Sequence, residues 1–188
     1  MTKAQIREIA ADNGFINADK PDSQDICFIP GGDYAAFLEE KLGCRCPEGE
    51  FFREDTQTVV GRHKGFHRYT IGQRKGLGIA AEKPLYVIRK DHATNRVILG
   101  DNNDLFTDSL TAVNCNWIAL DRLTSSIRVA AKTRYSQSEA VATVCPISDS
   151  VAEVTFDTPQ RAVTAGQAVV FYDGDTVVGG GTISTKGE

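Results

Sequence analysis

The sequence has no apolar run near the roughly 18 residues that a membrane-crossing helix needs. Its opening, MTKAQIREIAADNG, lacks the apolar centre of a secretion signal. A cytoplasmic setting without a membrane partner is the expectation. Cysteine is sparse, odd in number and irregularly spaced, with five residues at 27, 44, 46, 115 and 145. In a reducing compartment that pattern argues against a disulfide framework. Cys44 and Cys46 form a C-x-C pair, but no histidine follows at a zinc-finger interval and the other cysteines are distant, so no metal is expected. Repeats and low-complexity tracts are absent. A basic excess is missing too: 21 Lys and Arg against 25 Asp and Glu leave a formal charge of −4. That excludes a protein coated with positive charge, but it hides how charge is distributed.

What is present is ordinary in bulk and uneven in detail. The 188 residues are 41% hydrophobic and 24% charged, the balance of a soluble folded chain with room for one large domain or two small ones. Residues 1–55 carry twelve Asp or Glu against six Lys or Arg, whereas Thr56 to Ala81 holds Arg62, Lys64, Arg68, Arg74 and Lys75 and no acid. One segment is therefore composed to meet an anion.

Local signals give a helix, a loop, a second helix and then strands. Thr2 and Gln5 have the form of a capping box, Ile6, Ile9 and Ala10 recur at helical spacing, and Gly14 can end the helix. A short amphipathic helix with nothing before it to pack against is a poor start for an independent domain, which predicts a chain that begins mid-protein. Lys20 to Gly32 reads as a loop with a brief extended piece, Ile26 to Ile29, that contains Cys27. Asp33 can cap a second helix with Tyr34, Phe37, Leu38 and Leu42 on one face, and Gly43 can stop it. From Phe51 onward the pattern is β: Leu85 to Arg89 and Arg96 to Leu99 flank the turn DHATN as a hairpin. GDNNDLFTD, from Gly100 to Asp108, is the best boundary, and strands near 110–119, 126–135, 139–145, 151–156 and 168–182 follow, the last broken at Asp173-Gly174-Asp175. The expectation is a mainly β fold with two short N-terminal helices, a small central β module and a C-terminal six-stranded β-barrel. The expected divisions are 1–43, 44–105 and 106–188.

Chemistry is concentrated in few places. The thiolate of Cys27 would be a strong sulfur nucleophile, yet between Ile26 and Phe28 it could equally be a small core residue, and spacing leaves both readings open. His63 and His67 sit four apart in Gly-containing, β-rich sequence, where polar or RNA contact is the expected use. GRHKGFHRYTIGQRKGLG, Gly61 to Gly78, interleaves cations with Phe66 and Tyr69, a combination that pairs phosphates and offers stacking surfaces, although a solvated cationic hairpin has the same composition. Arg134 beside Tyr135, and DTPQRAVTAGQ ending at Gln167, could be surface or the rim of a binding face.

KPDSQDICFI, HKGFHRYTIGQRKGLGI, AKTRY and PQRAVTAGQAVVFYDGDTVVGGGTI, in this order and across nearly the whole chain, closely resemble the bacterial tRNA-specific 2-thiouridylase family. The resemblance implies an ATP-dependent enzyme that adenylates the C2 oxygen of the wobble uridine, U34, in certain tRNAs and replaces it with sulfur delivered as a persulfide. By that resemblance Asp22, Ser23, Ile26, Cys27 and Phe28 match the context of the family's second catalytic cysteine, which makes Cys27 the persulfide carrier. The sulfur would leave through disulfide formation with a first catalytic cysteine, supplied in the family by an amino-terminal domain with an S-G-G-V-D-S type pyrophosphate loop. Neither that loop nor that cysteine occurs here, so ATP with Mg is expected on the missing ATPase domain and no cofactor on this chain. Arg134, Tyr135 and Gln167 match tRNA-touching positions of the terminal barrel, and Arg62, Lys64, His67, Arg68, Arg74 and Lys75 fall in the central tRNA-seating domain. The implied partners are tRNA, a sulfur-relay donor protein and the missing ATPase domain. The expected chain is a carboxy-terminal part, inactive alone but tRNA-binding. The alternatives are a non-catalytic RNA-binding β module, for which Cys27 is dispensable, and a thiol relay through Cys27, Cys44 and Cys46, against which the cationic aromatic segment argues.

Overall fold

The hydroxyl of Thr2 accepts the N–H of Gln5 while the Gln5 side chain accepts the N–H of Thr2, so the predicted capping box starts α1 (Lys3–Asp12). Asn13, whose side chain donates to the Ile9 carbonyl at 2.8 Å, caps the far end one residue before Gly14. The carboxylate of Asp33 accepts the Ala36 N–H at 2.9 Å to start α2 (Tyr34–Leu42), and Gly43 closes it in a left-handed conformation. The structure, a computed structural model, describes residues 1–19, 29, 33–43 and 45–184. These fall into two units, Met1–Arg45 and Cys46–Glu188. No helix among the described residues is long and apolar enough to cross a membrane.

The second unit opens with a four-stranded sheet made of β1 (Gly49–Arg53), β2 (Thr58–His63), β3 (Tyr86–Asp91) and β4 (Arg96–Gly100), in the order β2-β1-β4-β3. Two hairpins lie side by side. The predicted β3–β4 hairpin turns where Asp91 accepts the N–H groups of Ala93 and Thr94. The hairpins join through a parallel β1–β4 pair, with Phe51 opposite Val97. Period-2 alternation places Phe51, Val87, Val97 and Leu99 on one face, all at 0% exposure. Tyr69, Leu77 and Leu85 from the long β2–β3 connection close over that face.

A 3₁₀ turn, Asn102–Leu105, leads into the barrel of β5 (Phe106–Trp117), β6 (Ile127–Lys132), β7 (Ala140–Ser148), β8 (Val151–Arg161), β9 (Ala168–Asp173) and β10 (Thr176–Ser184). The barrel closes in the order β10-β5-β8-β7-β6-β9, every neighbouring pair antiparallel. Alanines 112, 131, 142 and 152 alternate inward with Val144, Val154 and Phe171, a mix of small and large side chains that fills a narrow barrel without a channel. Closure leaves the barrel no unpaired sheet edge.

Candidate nucleic-acid interface

The cationic segment begins on β2 and continues through the β2–β3 connection. Arg62, Lys64, Arg68, Arg74 and Lys75 are exposed, and His67 is half-buried with its ring folded over the Gly65 backbone. His63 is 0% exposed. Its Nδ1 accepts the Gly65 N–H at 3.1 Å, and burial pushes its pKa below the ordinary histidine value. His63 thus makes the polar contact expected of it, and its burial rules out direct RNA contact. The two aromatics expected to stack on nucleotides also point elsewhere. Tyr69 is buried edge-on against Phe51 and His63, and Phe66 meets His92 edge-on at 4.6 Å. Apolar ring area in a small module is worth more inside the core than on the surface. What remains outward is a set of cations on a segment anchored in the sheet's core through Tyr69 and Leu77, with Ile71 and Ile79 packed against it.

Antiparallel order puts the β6–β7 loop, 133–139, and the β8–β9 loop, 162–167, at the same barrel end. Tyr135 stands there at 98% exposure, with Lys132 Nζ 5.8 Å from its ring centroid. Its loop is ordered from behind: Thr133 donates to Gln137 at 2.8 Å and Gln137 donates to the Arg161 carbonyl at 3.1 Å. Gln167 lies on the same end with its side chain exposed, its backbone carbonyl accepting the Ile183 N–H at 2.7 Å.

Arg134 behaves differently from its neighbour. Half-buried, it donates through Nη2 to the Ala162 carbonyl at 2.7 Å, to Thr164 Oγ1 at 2.9 Å and to the Ile71 carbonyl at 3.4 Å. Ile71 belongs to the cationic segment, so this side chain reaches from the barrel into the central module. Beside it, Gly72 adopts φ +87, and a Cβ there would lie 3.1 Å from the Ala162 Cβ. Arg161 stacks over Tyr86 at 5.5 Å and donates to Asn102 at 3.1 Å. The barrel end bearing Tyr135 and Gln167 is therefore the end that meets the cationic segment. Sequence reasoning missed Gln137, Ala162 and Ile71, which hold this arrangement mainly through backbone groups and leave no signal in residue type. The opposite barrel end carries exposed Asp121, Asp149, Asp173 and Asp175 with Arg122, a field that repels phosphate.

Cys27, the expected sulfur carrier, and Cys44 lie outside the described residues. Cys46, Cys115 and Cys145 are free thiols, and burial pushes the Cys115 thiol up, away from reactivity. At the start of α1 the capping box takes the N–H groups of Thr2 and Gln5, and at the start of α2 the Asp33 carboxylate takes that of Ala36 and repels phosphate. No group of three or more His, Cys, Asp or Glu that could hold a metal occurs among the described residues.

Three family models match in succession: residues 1–31 the tRNA methyl transferase HUP domain, 35–101 the tRNA methyl transferase PRC-barrel domain and 107–183 the aminomethyltransferase β-barrel domain. The chain is 50% identical over 97% of its length to the tRNA-specific 2-thiouridylase of Acetivibrio thermocellus, covering 50% of that protein. It is 49% identical over 97% of its length to that of Lachnoclostridium phytofermentans, covering 51%. The chain belongs to the tRNA-specific 2-thiouridylase family. A third family member, from Halothermothrix orenii, is 46% identical over 97% of this chain and is 51% covered. The chain spans about half the length of the curated relatives it matches.

Proposed function

We propose that this chain supplies the tRNA-docking surface and the sulfur-carrying cysteine of an enzyme that converts the wobble uridine of tRNA to 2-thiouridine. In this reading residues 44–105 and 106–188 grip the anticodon arm, and 1–43 carries Cys27 to the flipped base. The observation that carries the docking half is the Arg134–Ile71 hydrogen bond, which brings the segment that holds the exposed cations to the barrel end that holds Tyr135, the end away from four exposed aspartates. Cations fix phosphates, and an exposed ring accepts an unstacked base.

Cys27 bears the persulfide. Its terminal sulfur attacks C2 of a uridine whose C2 oxygen has been made a leaving group, and the C2–O bond breaks. A partner thiolate then attacks the Cys27 sulfur, the S–S bond to the transferred sulfur breaks, and its electron pair becomes that of the thiocarbonyl. A disulfide between the two cysteines remains. Oxygen activation is assigned to another part of the enzyme, and loading of Cys27 to a sulfur-relay donor protein.

The test is reconstitution of this chain with the amino-terminal half of a relative, reading 2-thiouridine in tRNA. Cys27→Ser should abolish the product while tRNA binding persists. Undiminished thiolation by that variant would move sulfur transfer elsewhere and favour a non-catalytic RNA-binding module.

A further inference from the structure

We propose that Arg134 is a positioning residue. It locks the cationic segment onto the barrel end that carries Tyr135, so that both meet one RNA as a single rigid surface. The inference rests on the docking reading above and adds how its two parts are kept in register.

The hydrogen-bond geometry carries the case. A guanidinium offers five N–H donors in a fixed fork. In Arg134 the Nη2 group is spent on three acceptors from two modules, the carbonyls of Ala162 and Ile71 and the hydroxyl of Thr164. Nε is buried without a hydrogen-bond partner. A side chain so committed holds the protein together before it holds a phosphate.

Its main acceptor is itself held in an unusual state. Ala162 is 2% exposed, has φ +55, sends its N–H to the Leu105 carbonyl at 2.7 Å and receives both Arg134 and Thr164 on its oxygen. A non-glycine residue keeps a left-handed conformation only where its surroundings over-determine it. Here those surroundings are the junction between sheet and barrel. Apolar packing does not close that junction: a cavity of about 240 Å³ remains among Ile71, Ile88, Leu105, Phe106 and Val163. Directional bonds must then set the orientation that close packing would otherwise set. Ile71 is also the point where the segment is pinned, because Gly72 and Gln73 exchange backbone hydrogen bonds with Val87 at 2.8 and 3.0 Å. Losing Arg134 frees the segment on its barrel side, just before Arg74 and Lys75.

The experiment uses the 188-residue chain with an anticodon-arm hairpin RNA across a salt series, together with limited trypsin cleavage of the free protein. Variants are Arg134→Ala and Thr164→Val, the second keeping every cation. For Arg134→Ala the salt slope should fall by more than one ion, because neighbouring cations lose their alignment. Cleavage after Arg74 and Lys75 should quicken. Thr164→Val should weaken binding in the same direction, by roughly 3- to 10-fold, and also quicken cleavage. A slope loss of one ion or less in Arg134→Ala, with Thr164→Val like wild type, would make Arg134 a direct phosphate contact and overturn the proposal. So would a lowered melting temperature with binding and cleavage unchanged, the mark of a structural role alone. If the wild-type chain bound no RNA, the docking reading would fall, and cleavage would still judge the clamp.

Discussion

The Nε2 atom of His63 lies 3.1 Å from the carbonyl oxygen of Asn95, while its Nδ1 accepts the N–H of Gly65. Only the neutral tautomer with hydrogen on Nε2 satisfies both bonds. The end of β2, where the cationic segment leaves the sheet, is thus tied to the β3–β4 turn by a ring that cannot take a proton without losing one of them.

That pairing predicts a pH dependence. Burial depresses the folded-state pKa of His63 below its unfolded value of about 6.5. The unfolded chain therefore binds the proton more tightly. Stability from this site is complete above the unfolded value and is lost as pH falls through the depressed folded one. Urea midpoints should decline over that range in wild type and decline less in His63→Gln; equal slopes in the two proteins would contradict the assignment.

Gly49 stands against the same turn, where an added Cβ would collide with the Asn95 carbonyl and lie 2.6 Å from His63 Nε2. Gly49→Ala should destabilise by about 1–3 kcal/mol, the usual cost of overpacking. Chemical denaturation reads this directly.

Tyr135→Ala should separate binding from folding. At 98% exposure the ring contributes little to stability, and the change should stay within about 0.5 kcal/mol. RNA affinity should drop by about 1–3 kcal/mol, the value of one stacked base, with the salt slope unchanged. An affinity equal to wild type would remove Tyr135 from the interface.

The cations should show the opposite signature. Arg68→Ala or Arg74→Ala should weaken RNA binding and lower the salt slope by about 0.7–0.9 for each phosphate that is no longer neutralised. Asp173→Asn with Asp175→Asn, at the far barrel end, should leave the slope alone. A response at the far end instead would reverse the orientation of the RNA.

Much of the fold was legible because its signals are local. The Thr2 and Asp33 caps, the β3–β4 hairpin and the Asp173-Gly174-Asp175 turn each depend on residues a few positions apart. The parallel β1–β4 pair joins Phe51 to Val97 across 46 positions and has no local mark. The site divided in the same way. Exposed cations follow from composition, but Phe66 and Tyr69 turned inward because core burial outweighed their use as platforms. Arg134 next to Tyr135 looked like one motif, yet one side chain bonds inward to Ala162 and the other faces solvent. Residue type alone carries no such division, since it is decided by backbone carbonyls from distant segments.

The most direct measurement is binding of an anticodon-arm RNA with a wobble uridine to this chain across a salt series. A docking surface built from the exposed cations predicts measurable affinity whose logarithm falls linearly with the logarithm of salt concentration, with a slope worth several phosphates. Absence of binding at low salt, or affinity indifferent to salt, would contradict the account and leave Cys27 as the chain's main contribution.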